Sequence, residues 1–207
     1  MPSHPTRFQA ERTGYKYLQF VKAKGYTHPG IDYNWSFGDS DRGQAVISPT
    51  WAVVEYVSPK GYNNGMGQYV VLYHPYHGVW TRYMHLDSAF VYGGQRLAKD
   101  QPIGTLGDSG TSSAHLHFEV LNANGIEYIR NHTLPYGRYT NGLSYAQVAE
   151  KWLDPEAWIA NASDPPYDQV LRDLLEKWQK ALFRANTMRK NALTRAINRV
   201  RAKLDMI

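Results

Sequence analysis

The chain has 207 residues, no cysteine, 43% hydrophobic and 14% aromatic side chains, and a formal net charge of +5. That length suits one domain with an appendage, and the apolar fraction supports a packed core and excludes wholesale disorder. Without cysteine there are no disulfides and no thiolate-bound metal, and no stretch approaches the ~20 apolar residues of a membrane-spanning helix.

Residues 1–26 read as an irregular lead-in with one short helix around Glu11–Lys22, and they lack the apolar core of a signal peptide. From 27 to 121 the signals are β. Runs such as "AVVEYV" (52–57), "QYVVLYH" (68–74) and "WTRYMHL" (80–86) are rich in β-branched and aromatic residues. Turn clusters such as "HPYHG", "VYGGQ" and "GDSGTSS" bound them, a pattern of short antiparallel strands. His74 and His77 fall in one such turn and read as structural. Asp39 and Asp41 in "FGDSDRG" lack the rest of a calcium loop and read as a solvated turn.

Residues 122–150, rich in Gly, Asn and Tyr, read as a long loop. "WLDPEAWI" (152–159) reads as a short closing helix, and 161–168, with two prolines, as a linker. From 169 to 207 apolar residues recur at spacings of three and four, which predicts an amphipathic helical tail. The charge is uneven: residues 1–163 hold 13 basic and 13 acidic side chains, and residues 164–207 hold 10 and 5. The basic excess thus belongs to the tail. Such a helix suits an anionic envelope surface, or it packs on its own domain. Nucleic acid ranks last, because aromatic residues stop at Phe183.

Three segments carry candidate chemistry. In "HPGID" (28–32), positions four apart share a face of an extended chain, so His28 and Asp32 can meet one ion. In "RYMHL" (82–86), the same alternation puts Tyr83 and His85 on one face. In "AHLHFEV" (114–120), it puts His115 and His117 on one face with Glu119, which is either a hydrogen-bond partner of the site or a solvated carboxylate. Imidazole nitrogen and carboxylate oxygen suit zinc, which in catalytic sites takes three protein ligands and leaves one position open. Taken singly, each pair is a weak signal, more often a polar strand face than a metal site. Tyrosines 26, 33, 83, 136 and 139 either line a groove or pack on the sheet.

"HPGIDY" (28–33), "YVVLYH" (69–74), "YMHL" (83–86), "IGTLGDSGTSSAHLHFEV" (103–120) and "WLDPEAW" (152–158) resemble the lysostaphin-type, or LytM-type, zinc endopeptidases of peptidoglycan. The resemblance covers about 28–160. It implies a mainly β domain of α+β class over 27–160, with an antiparallel sheet and one Zn2+ in a groove. It implies His28, Asp32 and His117 as zinc ligands, and His85 and His115 as catalytic histidines that do not bind the ion. Which of the two is the base stays open. The implied substrate is bacterial peptidoglycan, cut in its cross-links or stems at the cell wall. The missing leader and the cationic tail add the expectation of a phage lytic enzyme, present in host cytoplasm before lysis or carried in a virion. The alternative is a non-catalytic wall-binding or amidase-regulating module. Ala114 stands where the family often has glycine.

Overall fold

The runs of valine, isoleucine and tyrosine become strands because an extended chain sends alternate side chains to two opposite apolar layers. The structure, a computed structural model, describes residues 3–6, 14–34, 40–61, 63–130, 140, 142–161, 194–195 and 197–200. A two-stranded ribbon of β1 (Phe20–Val21) and β2 (Tyr26–Thr27) precedes a nine-stranded sheet. Its strands are β3 (Ile31–Tyr33), β4 (Ala45–Ile47), β5 (Ala52–Val57), β6 (Gln68–His74), β7 (Val79–Ala89), β8 (Arg96–Leu97), β9 (Pro102–Leu106), β10 (Leu116–Leu121) and β11 (Trp152–Leu153). The main path runs β11-β10-β7-β6-β5-β8, with β3 on β10, β9 on β7 and β4 on β9. Every ladder among the described residues is antiparallel.

Both faces of the sheet are buried. Leu116, Phe118 and Val120 of β10 join Tyr83 of β7 and Val70 and Leu72 of β6 in the larger core. The alternate residues Leu121, Met84, Tyr69 and Val71 join a second core on the other face. In β10 this leaves His117 and Glu119 on the side of the second core, between Phe118 and its neighbours. The β6–β7 connection is the expected turn, in which the backbone N–H groups of His77 and Gly78 donate to the His74 carbonyl. His74 itself is buried, with Nε2 2.8 Å from Thr81 Oγ1.

Three expectations change. Residues 14–22 form turns and β1 with no helix; the rest of the expected 11–22 helix lies outside the described residues. Within 122–150 stand two short helices, α1 (Ile126–Arg130) and α2 (Tyr145–Lys151), which each bury one apolar side chain, Ile129 and Val148, in the second core. In "WLDPEAWI" the first two residues extend as β11, and the helix α3 (Pro155–Asn161) begins only after Asp154, whose Oδ1 accepts from the N–H groups of Glu156 and Ala157. Proline is at home in that first turn because its missing N–H would have no helical partner.

The chain divides into two units, 1–163 and 164–207. In the second, residues 194–195 and 197–200 are helical; the expected linker and most of the expected tail helix lie outside the described residues.

Candidate metal centre

The sheet brings the candidate residues together through register. β3 pairs with β10 so that Asp32 lies opposite His117, and opposite residues of an antiparallel pair share a face. Ile31 and Tyr33, on either side of Asp32, enter the larger core and fix which face Asp32 takes. His28 follows β2, held by its N–H to the Gln19 carbonyl and by its carbonyl to the Leu18 N–H, each at 2.8 Å. Between His28 and Asp32, Gly30 passes so close over β10 that a Cβ there would meet the Phe118 carbonyl oxygen at 2.4 Å and Glu119 Cγ at 2.8 Å. The glycine of "HPGID" is therefore a requirement of the site's geometry.

His28 Nε2 lies 3.2 Å from Asp32 Oδ1 and 3.0 Å from His117 Nδ1, and His117 Nδ1 lies 2.8 Å from Asp32 Oδ1. Among the described residues these three form the group whose ligand atoms, all within 4.8 Å of one another, could hold a metal ion. The outward nitrogen of each histidine is already engaged. His28 Nδ1–H donates to the Lys16 carbonyl at 3.1 Å, and His117 Nε2–H donates to Glu119 Oε1 at 2.9 Å. Each ring thus turns its other nitrogen, His28 Nε2 and His117 Nδ1, inward, the arrangement that metal-ligating histidines adopt. Two imidazole nitrogens and one carboxylate oxygen fit zinc.

Glu119 is fully buried and is no solvated carboxylate. Its Oε2 accepts from Arg82 Nε at 3.0 Å and Nη2 at 2.6 Å, and from Trp152 Nε1 at 3.2 Å.

His85 and His115 stand beside this cluster, their rings 4.6 Å apart, with His115 Nε2 4.0 Å from Asp32 Oδ1. Tyr83 and His85 do not share a face, contrary to simple alternation. Tyr83 packs on Phe118 in the larger core, and regular extension would send His85 there too. His85 instead adopts a left-handed backbone, φ 65°, which turns its ring to the site and returns Leu86 to the larger core. Such a conformation costs a non-glycine residue on the order of 1–3 kcal/mol and persists only where neighbours fix it. Here the His85 N–H donates to the Met66 carbonyl at 3.1 Å and Nδ1–H to the Ser109 carbonyl at 2.9 Å, while Ser109 Oγ donates to the Leu86 carbonyl at 2.6 Å. His115 Nδ1–H likewise donates to the Ser113 carbonyl at 2.9 Å. Both rings therefore carry their lone pair on Nε2.

Asp32, His117, His85 and His115 separate by charge. Burial alone would raise the Asp32 pKa, but hydrogen bonds from His117 and His28 hold it well below the ordinary carboxylate value. Burial alone would lower His117, but hydrogen bonds to Asp32 and Glu119 raise it to about 9. His85 lies well below the ordinary imidazole value, through burial and then through the neighbouring His115 and His117. His115 is lowered too, chiefly by burial, against the pull of Asp32. The two imidazoles beside the ligand cluster are thus neutral bases at pH 7.

The cluster opens on a cavity of about 660 Å³ lined by Tyr15, Gln19, Lys24 and Tyr26 from one segment, by Thr111, Ser112, Ser113 and His115 from another, and by Asp32, Asn34 and His85. Of the tyrosines expected to line a groove, Tyr26 does so, Tyr33 and Tyr83 belong to the core, and 136 and 139 lie outside the described residues. Tyr15 is a lining residue that the sequence did not announce. Asp41, expected in a solvated turn, is buried, and Asp39 lies outside the described residues.

The profile of peptidase family M23 matches residues 26–129. The chain belongs to peptidase family M23. Zinc is the cofactor of M23 peptidases. This M23 chain is 38% identical over 159 residues to peptidoglycan DD-endopeptidase ShyC of Vibrio cholerae serotype O1, an alignment that covers 75% of the chain and 30% of that relative. It is 37% identical over 93 residues to an uncharacterized metalloprotease of Haemophilus influenzae, covering 44% of the chain and 18% of the relative. The chain thus spans less than a third of the length of these curated relatives. Lysostaphin of Staphylococcus simulans superposes with a TM-score of 0.51 at 18% identity, over 80% of this chain and 58% of that one, and shares the fold.

Proposed function

We propose that the chain is a zinc metalloendopeptidase of bacterial peptidoglycan that cuts its peptide cross-links, with His28, Asp32 and His117 as ligands and His85 and His115 as catalytic residues. The observation that carries this reading is a single one. Three ligand atoms converge beside two neutral imidazoles, and Asp32, His85 and His115 line one cavity. The DD-endopeptidase name of the Vibrio relative supports a cross-link as the scissile bond.

Zinc held there supplies Lewis acidity, polarising the scissile carbonyl and acidifying water. The chain's own residues do the rest. Asp32 and the two histidine ligands stay fixed because each is hydrogen-bonded or buried before the ion arrives. His115 Nε2, 4.0 Å from Asp32 Oδ1, takes the proton of the attacking water. As the C–N bond breaks, that same proton is handed on to the leaving amine, directly from His115 or through His85, whose Nδ1–H is anchored on the Ser109 carbonyl and whose Nε2 can accept it. Their lowered pKa values keep both ready at neutral pH.

A His115→Ala variant tests the catalytic reading against the non-catalytic one. It should keep zinc and lose about 10²–10⁴-fold in kcat, the usual contribution of a positioned acid–base group. Undiminished hydrolysis would remove His115 from the reaction. Two finer readings belong here as well. Binding of the basic tail to an anionic envelope surface, and a role as a phage lytic enzyme, both rest on the sequence of residues 164–207, where 10 basic side chains face 5 acidic ones.

A further inference from the structure

Each histidine of the ligand group sends its outward nitrogen into a hydrogen bond, and the two bonds lead to the same residue. From His28 the path runs through Nδ1–H to the Lys16 carbonyl at 3.1 Å, and the next residue, Tyr17, donates its hydroxyl to the Trp152 carbonyl. From His117 the path runs through Nε2–H to Glu119 Oε1 at 2.9 Å, and Glu119 Oε2 accepts from the Trp152 indole N–H at 3.2 Å. The 3.0 Å approach of His28 Nε2 to His117 Nδ1 closes the ring.

We propose that Trp152 is a positioning residue that braces both histidine ligands, its carbonyl steadying the His28 side and its indole N–H steadying the His117 side. The proposal rests on the zinc reading above. Trp152 is suited to the task by rigidity. It is fully buried, it is paired through β11 with Leu121 on the strand that carries His117, and its ring lies 4.8 Å from that of Tyr128. Arg82 completes the hold, with two N–H groups on Glu119 Oε2 and Nη1 donating to the Tyr128 carbonyl at 3.1 Å. With Oε2 saturated by three donors, the carboxylate has one orientation, and Oε1 faces His117. A charge-balanced Glu119 accepts the His117 Nε2 proton without removing it, so Nδ1 is the nitrogen left for the ion. Neither Tyr17 nor Trp152 lies in the residues matched by the family, so the brace is built from parts of the chain outside that match.

The test uses the full chain and three variants. Trp152→Phe removes the indole N–H, Tyr17→Phe removes one hydroxyl from a half-buried ring, and Val148→Ala, in the same second core, is a packing control. Zinc affinity is measured by chelator competition, the visible spectrum of the Co2+-substituted protein reports ligand geometry, and thermal unfolding of the metal-free proteins reports packing. Both brace variants should bind zinc about 10–100-fold more weakly, the usual effect of losing an outer hydrogen-bond partner, and should shift the Co2+ bands. Val148→Ala should lower the metal-free midpoint and leave affinity and spectrum unchanged. Brace variants with wild-type affinity and spectrum would overturn the proposal, as would a Val148→Ala variant that changes both equally. Should Trp152→Phe fail to fold, Tyr17→Phe decides alone. A folded wild-type protein that takes up no zinc would instead overturn the metal reading itself.

Discussion

On the proposed ligand set, a proton and a metal ion compete for one nitrogen of His117. Without an ion, the carboxylates of Asp32 and Glu119 hold the imidazole pKa at about 9, so the ring is charged at pH 7.5. Zinc uptake at that pH should therefore release about one proton. Calorimetric titration in two buffers of different ionisation enthalpy would show it, and an apparent enthalpy independent of buffer would contradict it. The same shift governs the metal-free fold. The His117 pKa is raised from 6.5, so its stabilisation is complete below pH 6.5 and is lost as pH climbs through about 9. Asp32 has the opposite sign, since its lowered pKa gives stability that vanishes on acidification. At this scale the sequence was informative where alternation holds. His115, His117 and Glu119 share a face as strand periodicity demands. It misplaced His85, which alternation puts on the face of Tyr83 and whose ring instead reaches the site through a left-handed backbone that no pattern of neighbours announces. It also left Glu119 undecided between two roles, because the residues that settle it, Arg82 and Trp152, are distant in the chain.

Elements set the distances on which that chemistry depends. β3 crosses β10 closely enough that residue 30 has no room for a side chain. Gly30→Ala should push β3 away from β10, cost about 1–3 kcal/mol of stability and weaken zinc binding, because overpacking at a fixed backbone contact is relieved only by movement. Urea unfolding with and without zinc would measure it, and unchanged midpoints would contradict the account. The strands were legible because β-branched and aromatic runs between turn clusters leave few alternatives. The helices α1 and α2 were not. Each buries one side chain, so no periodicity accumulates. A local signal did exist: Ser144 and Gln147 form a reciprocal capping box at the start of α2, a pairing readable as Ser-x-x-Gln. β11 was missed for a related reason. Two residues cannot show strand alternation, and Asp154 with Pro155 places the helix start three residues later than the apolar pattern suggests.

The whole molecule combines a charge-balanced unit of residues 1–163, which contains the site, with a basic unit of residues 164–207. No helix among the described residues is long and apolar enough to cross a membrane. If the tail contacts the envelope, truncation after Ser163 should leave hydrolysis of a soluble cross-linked peptide intact and reduce binding to whole envelopes, most at low salt where charge attraction is least screened. Equal envelope binding by both forms would contradict a role for the tail. The central claim, zinc-dependent cleavage of peptidoglycan peptides, is tested most directly by mass spectrometry of the fragments released from purified peptidoglycan of several chemotypes, with chelator, without it, and with zinc restored. New amino termini at a peptide cross-link that appear only with zinc are the predicted result. A folded, zinc-loaded protein that releases no new termini from any chemotype would contradict it.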